Sequence, residues 1–129
     1  MTQVEDSKTW LFVADNLQHL RSVKPRSRSW WCVDRRCAPK DRCFLYKRLT
    51  GIVLLFEITR IIEAQPFCNG FAMATASITI VEVFEPPIPV KALRTSQEIR
   101  QEGFFRRNFQ GKSFLVHSEK TTKAILSLR

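Results

Sequence analysis

From Thr9 to Phe84 the apolar residues fall in runs of strand length, rich in β-branched and aromatic side chains and separated by turn formers, a spacing that builds a sheet. The longest run, Ile52–Ile62, follows a tight break at Thr50-Gly51 and carries Glu57 and Arg60 among its polar positions, as a half-buried strand would. Ser77–Phe84 alternates hydroxyl or acid with aliphatic side chains in period two, which marks a strand with one wet face. Pro86-Pro87-Ile88-Pro89 is expected to stop it, because proline cannot donate to a ladder. Thr9–Ala14 and Ser29–Val33 read as the first two strands, and Pro39-Lys40-Asp41 turns the chain into Arg42–Lys47. Between the first two, Asp15-Asn16 can cap a short helix through Leu17, Leu20 and Val23. Ala64–Ala76, with Pro66, Asn69 and Gly70, reads as a loop in which Phe67 and Phe71 need cover.

Beyond the prolines the pattern changes. Ser96, Glu98 and Ile99 open a short helix, Gly103–Lys112 is a loop dense in rings and cations, and Ser118 caps a last helix. Thr121 lies in its first turn, with Ala124, Ile125 and Leu128 on its inner side. Strands followed by short helices give an α+β class. At 129 residues, 44% hydrophobic and 26% charged, the chain reads as one folded domain over 1–129, with 1–7 a frayed start. No basic segment followed by a long apolar run opens it, and its longest apolar stretch is strand-sized, so a cytoplasmic protein with no membrane span is expected.

Charge is concentrated. Arg21–Arg48 holds ten Lys/Arg against Asp34 and Asp41, a local net charge of +8 against +9 for the whole chain. That field surrounds Trp30-Trp31, and cations around aromatic rings are what a site needs to hold a phosphate backbone and stack a base. The competing reading is a solvated basic face over two core indoles. Adjacent strand residues point to opposite faces, so one Trp lining a surface pocket is compatible with the other in the core. Cys32, Cys37, Cys43 and Cys68 form no C-x-x-C pair, so neither metal nor cofactor is expected and the thiols read as free, packed as small hydrophobes.

Catalytic signatures are weak. His19 and His117 stand alone, no nucleophile elbow, Walker loop or zincin motif occurs, and Glu57 and Glu82 read as strand acids balancing nearby cations. A binding protein, not an enzyme, is the expectation.

Thr9-Trp10-Leu11-Phe12-Val13, Trp31-Cys32-Val33, Lys40-Asp41-Arg42-Cys43-Phe44-Leu45-Tyr46, Gly51-Ile52-Val53 and Phe84-Glu85-Pro86-Pro87-Ile88-Pro89, in that order, resemble the EVE domain family across about Lys8 to Leu128. The resemblance implies a PUA-like fold related to YTH and ASCH domains: a mixed, strongly bent β-barrel with short flanking helices. It also implies recognition of a modified base in DNA or RNA, beside a nuclease or restriction-type partner, with the base flipped into an aromatic pocket. The family's W-G-V tryptophan maps onto Trp31, with Trp30 its rival, and the pocket edge maps onto Asp15 and Asn16, whose other role is helix capping. Arg106, Arg107 and Asn108 map onto the C-terminal turn, and with Arg26, Arg28, Arg35, Arg36, Lys47 and Arg48 they are the expected phosphate contacts. The rings of Phe104, Phe105 and Phe109 are expected mainly in the core.

The sequence departs from the family at Cys32 and Lys40, both usually Gly, and in a shorter Val33–Pro39 connection that removes wall from one side of the pocket. Two alternatives stay open: an ASCH-like nuclease or modified-nucleoside hydrolase, and a protein–protein adaptor built on the loop around Phe67 and Phe71.

Overall fold

The computed structural model describes residues 7–17, 20, 22–62 and 73–129. Strands β1 (Thr9–Ala14), β2 (Arg28–Asp34), β3 (Arg42–Lys47), β4 (Gly51–Ile62), β5 (Met73–Ile88) and β6 (Ser113–Val116) form one mixed sheet in the order β2-β5-β4-β3-β1-β6. Four short helices, α1 (Val90–Leu93), α2 (Gln97–Arg100), α3 (Gly103–Arg106) and α4 (Glu119–Ser127), complete an α+β fold. β1 runs parallel to β3, and the other ladders are antiparallel. Among the described residues β2 and β6 are not paired through the backbone, so the ladder stays open.

Both faces of the sheet are covered, which explains why β3 and β4 read as continuous apolar runs and not as an alternation. One face gathers Trp10 and Phe12 of β1, Trp31 and Val33 of β2, Leu45 of β3, Phe56 of β4 and Ile78 of β5. The other turns Leu11, Phe44, Tyr46, Ile52 and Phe84 toward the helices, which supply Leu93, Ile99, Phe104 and Ile125. The period-two switch between Trp10/Phe12 and Leu11 is what lets β1 feed both clusters. At the sheet's two outer strands, the Ser113 hydroxyl donates to Asp34 at 3.0 Å, bringing the end of β2 to the start of β6.

The prolines do not stop β5. It continues through a cis Glu85–Pro86 bond to Ile88, which pairs with Ile52, while β2 pairs only as far as Thr79. Pro86 and Pro87 therefore sit in an edge segment, inside a bulge between Val83 and Ile88, where no ladder N–H is demanded of them. Three more expectations change. Met73–Ala76 belongs to β5 and not to a loop, Gly103–Arg106 is the helix α3, and Ser113–Val116 is a strand that no alternation announced. The first-strand, second-strand, β3 and β4 assignments and the Ser96 and Ser118 caps agree with the sequence, each cap hydroxyl accepting from a backbone N–H of its helix. Of the helix expected from Leu17 to Val23, residues 18, 19 and 21 lie outside the described residues and the described ones form a turn and no α-helix, while the loop residues Phe67 and Phe71 lie outside them. Leu20 N does donate to Leu17 O at 2.8 Å.

Candidate functional site

Where β1 ends, its last residues, Trp31 and Cys32 of β2, Met73 of β5 and Lys112 before β6 enclose a cavity of about 200 Å³. The position follows from the ladders. Val13 N donates to Lys112 O at 2.9 Å, setting Lys112 beside the end of β1, and β2 carries Trp31 opposite the small Ala76 of β5. Asp15, Asn16 and Lys112 are exposed and form the rim, whereas Trp31 is 8% exposed and forms wall, packed into the first core cluster. Trp30, half-buried on the other face of β2, does not line the cavity. The structure thus brings together three of the four expected pocket residues, Trp31, Asp15 and Asn16, and adds Lys112 and Met73.

The expected cations divide into two groups. Arg48 reaches across the rim: its Nε lies 2.7 Å from Asp15 Oδ1, its Nη1 donates to Phe109 O at 3.0 Å, and its backbone N donates to Ala14 O at 2.9 Å. It therefore ties the β3–β4 turn, the end of β1 and the turn after α3 into one frame, and Asp15 answers Arg48 before it can answer a ligand. With Asp15 four-fifths exposed, this ion pair positions more than it stabilises.

Arg36 is also engaged. Its Nε and Nη2 donate to Asp34 Oδ1 and Oδ2 at 2.9 and 3.0 Å, and its guanidinium sits 5.3 Å from the Trp10 ring centre. That fork holds the Asp34 carboxyl below its ordinary value against the opposing effect of burial, and Asp34 in turn raises Arg36. Arg36 is thus held by Asp34 while its side chain stays largely exposed.

Arg26, Arg28, Arg35, Arg106, Arg107 and Asn108 are exposed, and Lys47 is half-buried with its Nζ 3.4 Å from Thr50 Oγ1. Arg28 and Arg35 are separated by the length of β2, about 23 Å at strand rise, so the field is spread along an edge and is not focused on one point. Phe104 and Phe109 are buried as expected, and Phe109 stacks on Tyr46 at 3.9 Å, with Phe105 half-buried beside it.

Three buried acids carry structure that sequence reasoning did not assign. Asp41, 2% exposed, accepts from Lys8 N, Trp10 Nε1 and Ala38 N at 2.9, 3.0 and 3.0 Å. Glu102 accepts from His117 N, Ser118 N and Thr121 Oγ1 at 3.0, 3.1 and 2.7 Å, which places it over the start of α4. Asp34 takes Arg36 and Ser113. The Asp-x-Arg spacing of Asp34 and Arg36 was the one visible signal; apart from the nearby Ala38 N, the partners of Asp41 are 31 or more residues away, and those of Glu102 are 15 or more.

Of four larger clefts among the described residues, the two largest, about 640 and 730 Å³, lie toward the other end of β6 and share His117 and Ser118. Glu102, the buried acid of the first, already accepts three hydrogen bonds from backbone and Thr121, which accounts for it as a structural group. Glu82 pairs with Arg129 at 2.7 Å, in keeping with a strand acid balancing a cation. Among the described residues no group of three His, Cys, Asp or Glu is placed to hold a metal ion, and no helix is long and apolar enough to cross a membrane. Cys37 and Cys43 are free and buried, and burial raises the Cys43 thiol well above its ordinary value. Cys32, half-buried at the cavity, is instead disulfide-bonded, which corrects the expectation of free thiols there.

The fold is shared with solved structures of low sequence identity. A hypothetical protein from Leishmania major is 15% identical with a TM-score of 0.69, the match covering 98% of this chain and 97% of that one. A protein from Agrobacterium tumefaciens is 12% identical at 0.70, with 95% and 93% covered, and one from Rhodopseudomonas palustris is 15% identical at 0.68, with 92% and 91% covered. At these identities the likeness is one of fold. No protein-family model matches the chain, and no curated protein matches it.

Proposed function

We propose that this chain is a PUA-like module of the EVE type, its sheet bent into an open barrel, that binds nucleic acid by taking one modified base into the cavity at Trp31. The link from Ser113 to Asp34 across the outer strands and the core shared by β1 and β2 support the bent-barrel reading. The observation that carries the function is the cavity itself: an indole wall, an apolar Met73, and a polar rim of Asp15, Asn16 and Lys112. At about 200 Å³ it lies below the roughly 300–1,000 Å³ of drug-sized sites, a scale suited to one heterocycle without its sugar and phosphate. An indole wall supplies a stacking surface for any base, and Asn16 and Lys112 offer hydrogen bonds to its edge. Arg26, Arg28, Arg35, Lys47, Arg106 and Arg107 supply the salt-dependent phosphate attraction, and Arg48 holds the rim in shape.

The test compares wild type with Trp31→Leu, which keeps an apolar wall and removes the π face, after thermal melting has established that the variant folds. Each is titrated with oligonucleotides carrying plain or methylated cytosine and adenine at two salt concentrations. Wild type is expected to prefer one modified base, and Trp31→Leu to lose that preference while keeping the salt-dependent part. Equal, purely salt-controlled binding of all probes by both proteins overturns the reading.

A further inference from the structure

Leu49 is 103% exposed relative to a reference chain, at the tip of the β3–β4 turn, and its backbone is left-handed with φ of 66°. Both features are unfavourable for folding. A left-handed turn position suits Gly or Asn, and a Leu there places a whole apolar side chain in water with no packing in return. The turn beneath it is nonetheless held firmly. Thr50 N donates to Lys47 O at 3.0 Å, and the adjacent Arg48 is pinned to Ala14, Asp15 and Phe109. Through the Arg48 N to Ala14 O bond, the Leu49 Cα lies within about 8 Å of the carbonyl of a residue that lines the cavity.

We infer that Leu49 is a wedge that enters the base stack where a nucleotide has been extruded, and that the substrate of the Trp31 cavity is therefore a duplex. The inference rests on the base-binding reading above. A base drawn from a duplex leaves a gap the thickness of one ring, and an apolar side chain that fills it holds the duplex open; a single strand presents no such gap. Lys47, in the same turn, supplies a cation for the phosphates flanking the gap, while Arg48 holds the turn to the rim. Because the turn that carries it is held before binding, little backbone freedom is lost on insertion.

The experiment uses DNA and RNA probes of about ten nucleotides, one helical turn, as single strands and duplexes. Each carries a central methylated or plain cytosine or adenine, with 2-aminopurine beside it to report unstacking. Wild type, Leu49→Ser and Leu49→Met are compared. Leu49→Ser is expected to weaken duplex binding about tenfold, the effect of leaving one Leu side chain unburied, and to abolish the 2-aminopurine signal. Its single-strand affinity stays unchanged, and Leu49→Met restores both duplex readouts. Unchanged duplex affinity and signal in Leu49→Ser, or wild type that binds only single strands, overturns the wedge while leaving the base cavity standing. Binding of no probe by wild type overturns both.

Discussion

Replacing Asp41 by Ala tests how β1 is held to the loop before β3. The side chain is 2% exposed and serves three donors: the indole N–H of fully buried Trp10 and the backbone N–H groups of Lys8 and Ala38. Alanine leaves the indole N–H unpaired without access to water, which costs about 1–3 kcal/mol, and two partly buried backbone donors add to it. A loss of about 3–5 kcal/mol is expected in urea unfolding followed by tryptophan fluorescence. For a domain of 129 residues this lowers the melting temperature by roughly 12–20 °C. Asp41→Asn is milder, about 1–2 kcal/mol, because an amide oxygen in the Oδ2 position keeps Trp10 and Ala38 and gives up only Lys8. In a Trp10→Phe background the further loss from Asp41→Ala shrinks, since the buried donor has gone. An Asp41→Ala loss under about 1 kcal/mol, or an Asn variant as damaged as the Ala one, refutes the assignment.

The other predictions concern separate contacts. Because Arg36 holds the Asp34 carboxyl below its ordinary 3.8, that stabilisation is present above about pH 4 and is lost as pH falls toward the depressed folded value. Arg36→Gln flattens the acid limb of the stability–pH curve, and an unchanged limb refutes the pairing. Gly51→Ala fails to reach wild-type stability, since φ is 129° and an added Cβ would meet the Ile88 carbonyl backbone; a melting point within about 2 °C of wild type contradicts this. Glu102→Ala releases Thr121 and two backbone donors, so α4 amides exchange faster while those of β4 keep their protection; equal exchange in α4 counts against the cap.

How much was legible differs between the strands and the site. β1 to β4 could be read because β-branched and aromatic runs bounded by turns are local signals, and Ser96 and Ser118 announced their helices by residue type. β6 could not, since four residues, Ser113-Phe114-Leu115-Val116, become a strand only through pairing with β1. Proline chemistry was read correctly in kind and wrongly in place, because whether a proline is forbidden depends on which strand lies beside it.

Residue types alone determined that this chain would build a strand-rich α+β domain with a basic surface segment around two indoles. Only the tertiary structure decided that Trp31 and not Trp30 meets a cavity, that Arg36 and Arg48 spend their guanidinium groups on Asp34 and Asp15, and that Lys112 joins the rim. The reason is range: side-chain alternation and turn preference act over a few residues, whereas cavities and charge partners arise where ladders bring distant segments together, as β6 does in setting Ser113 against Asp34.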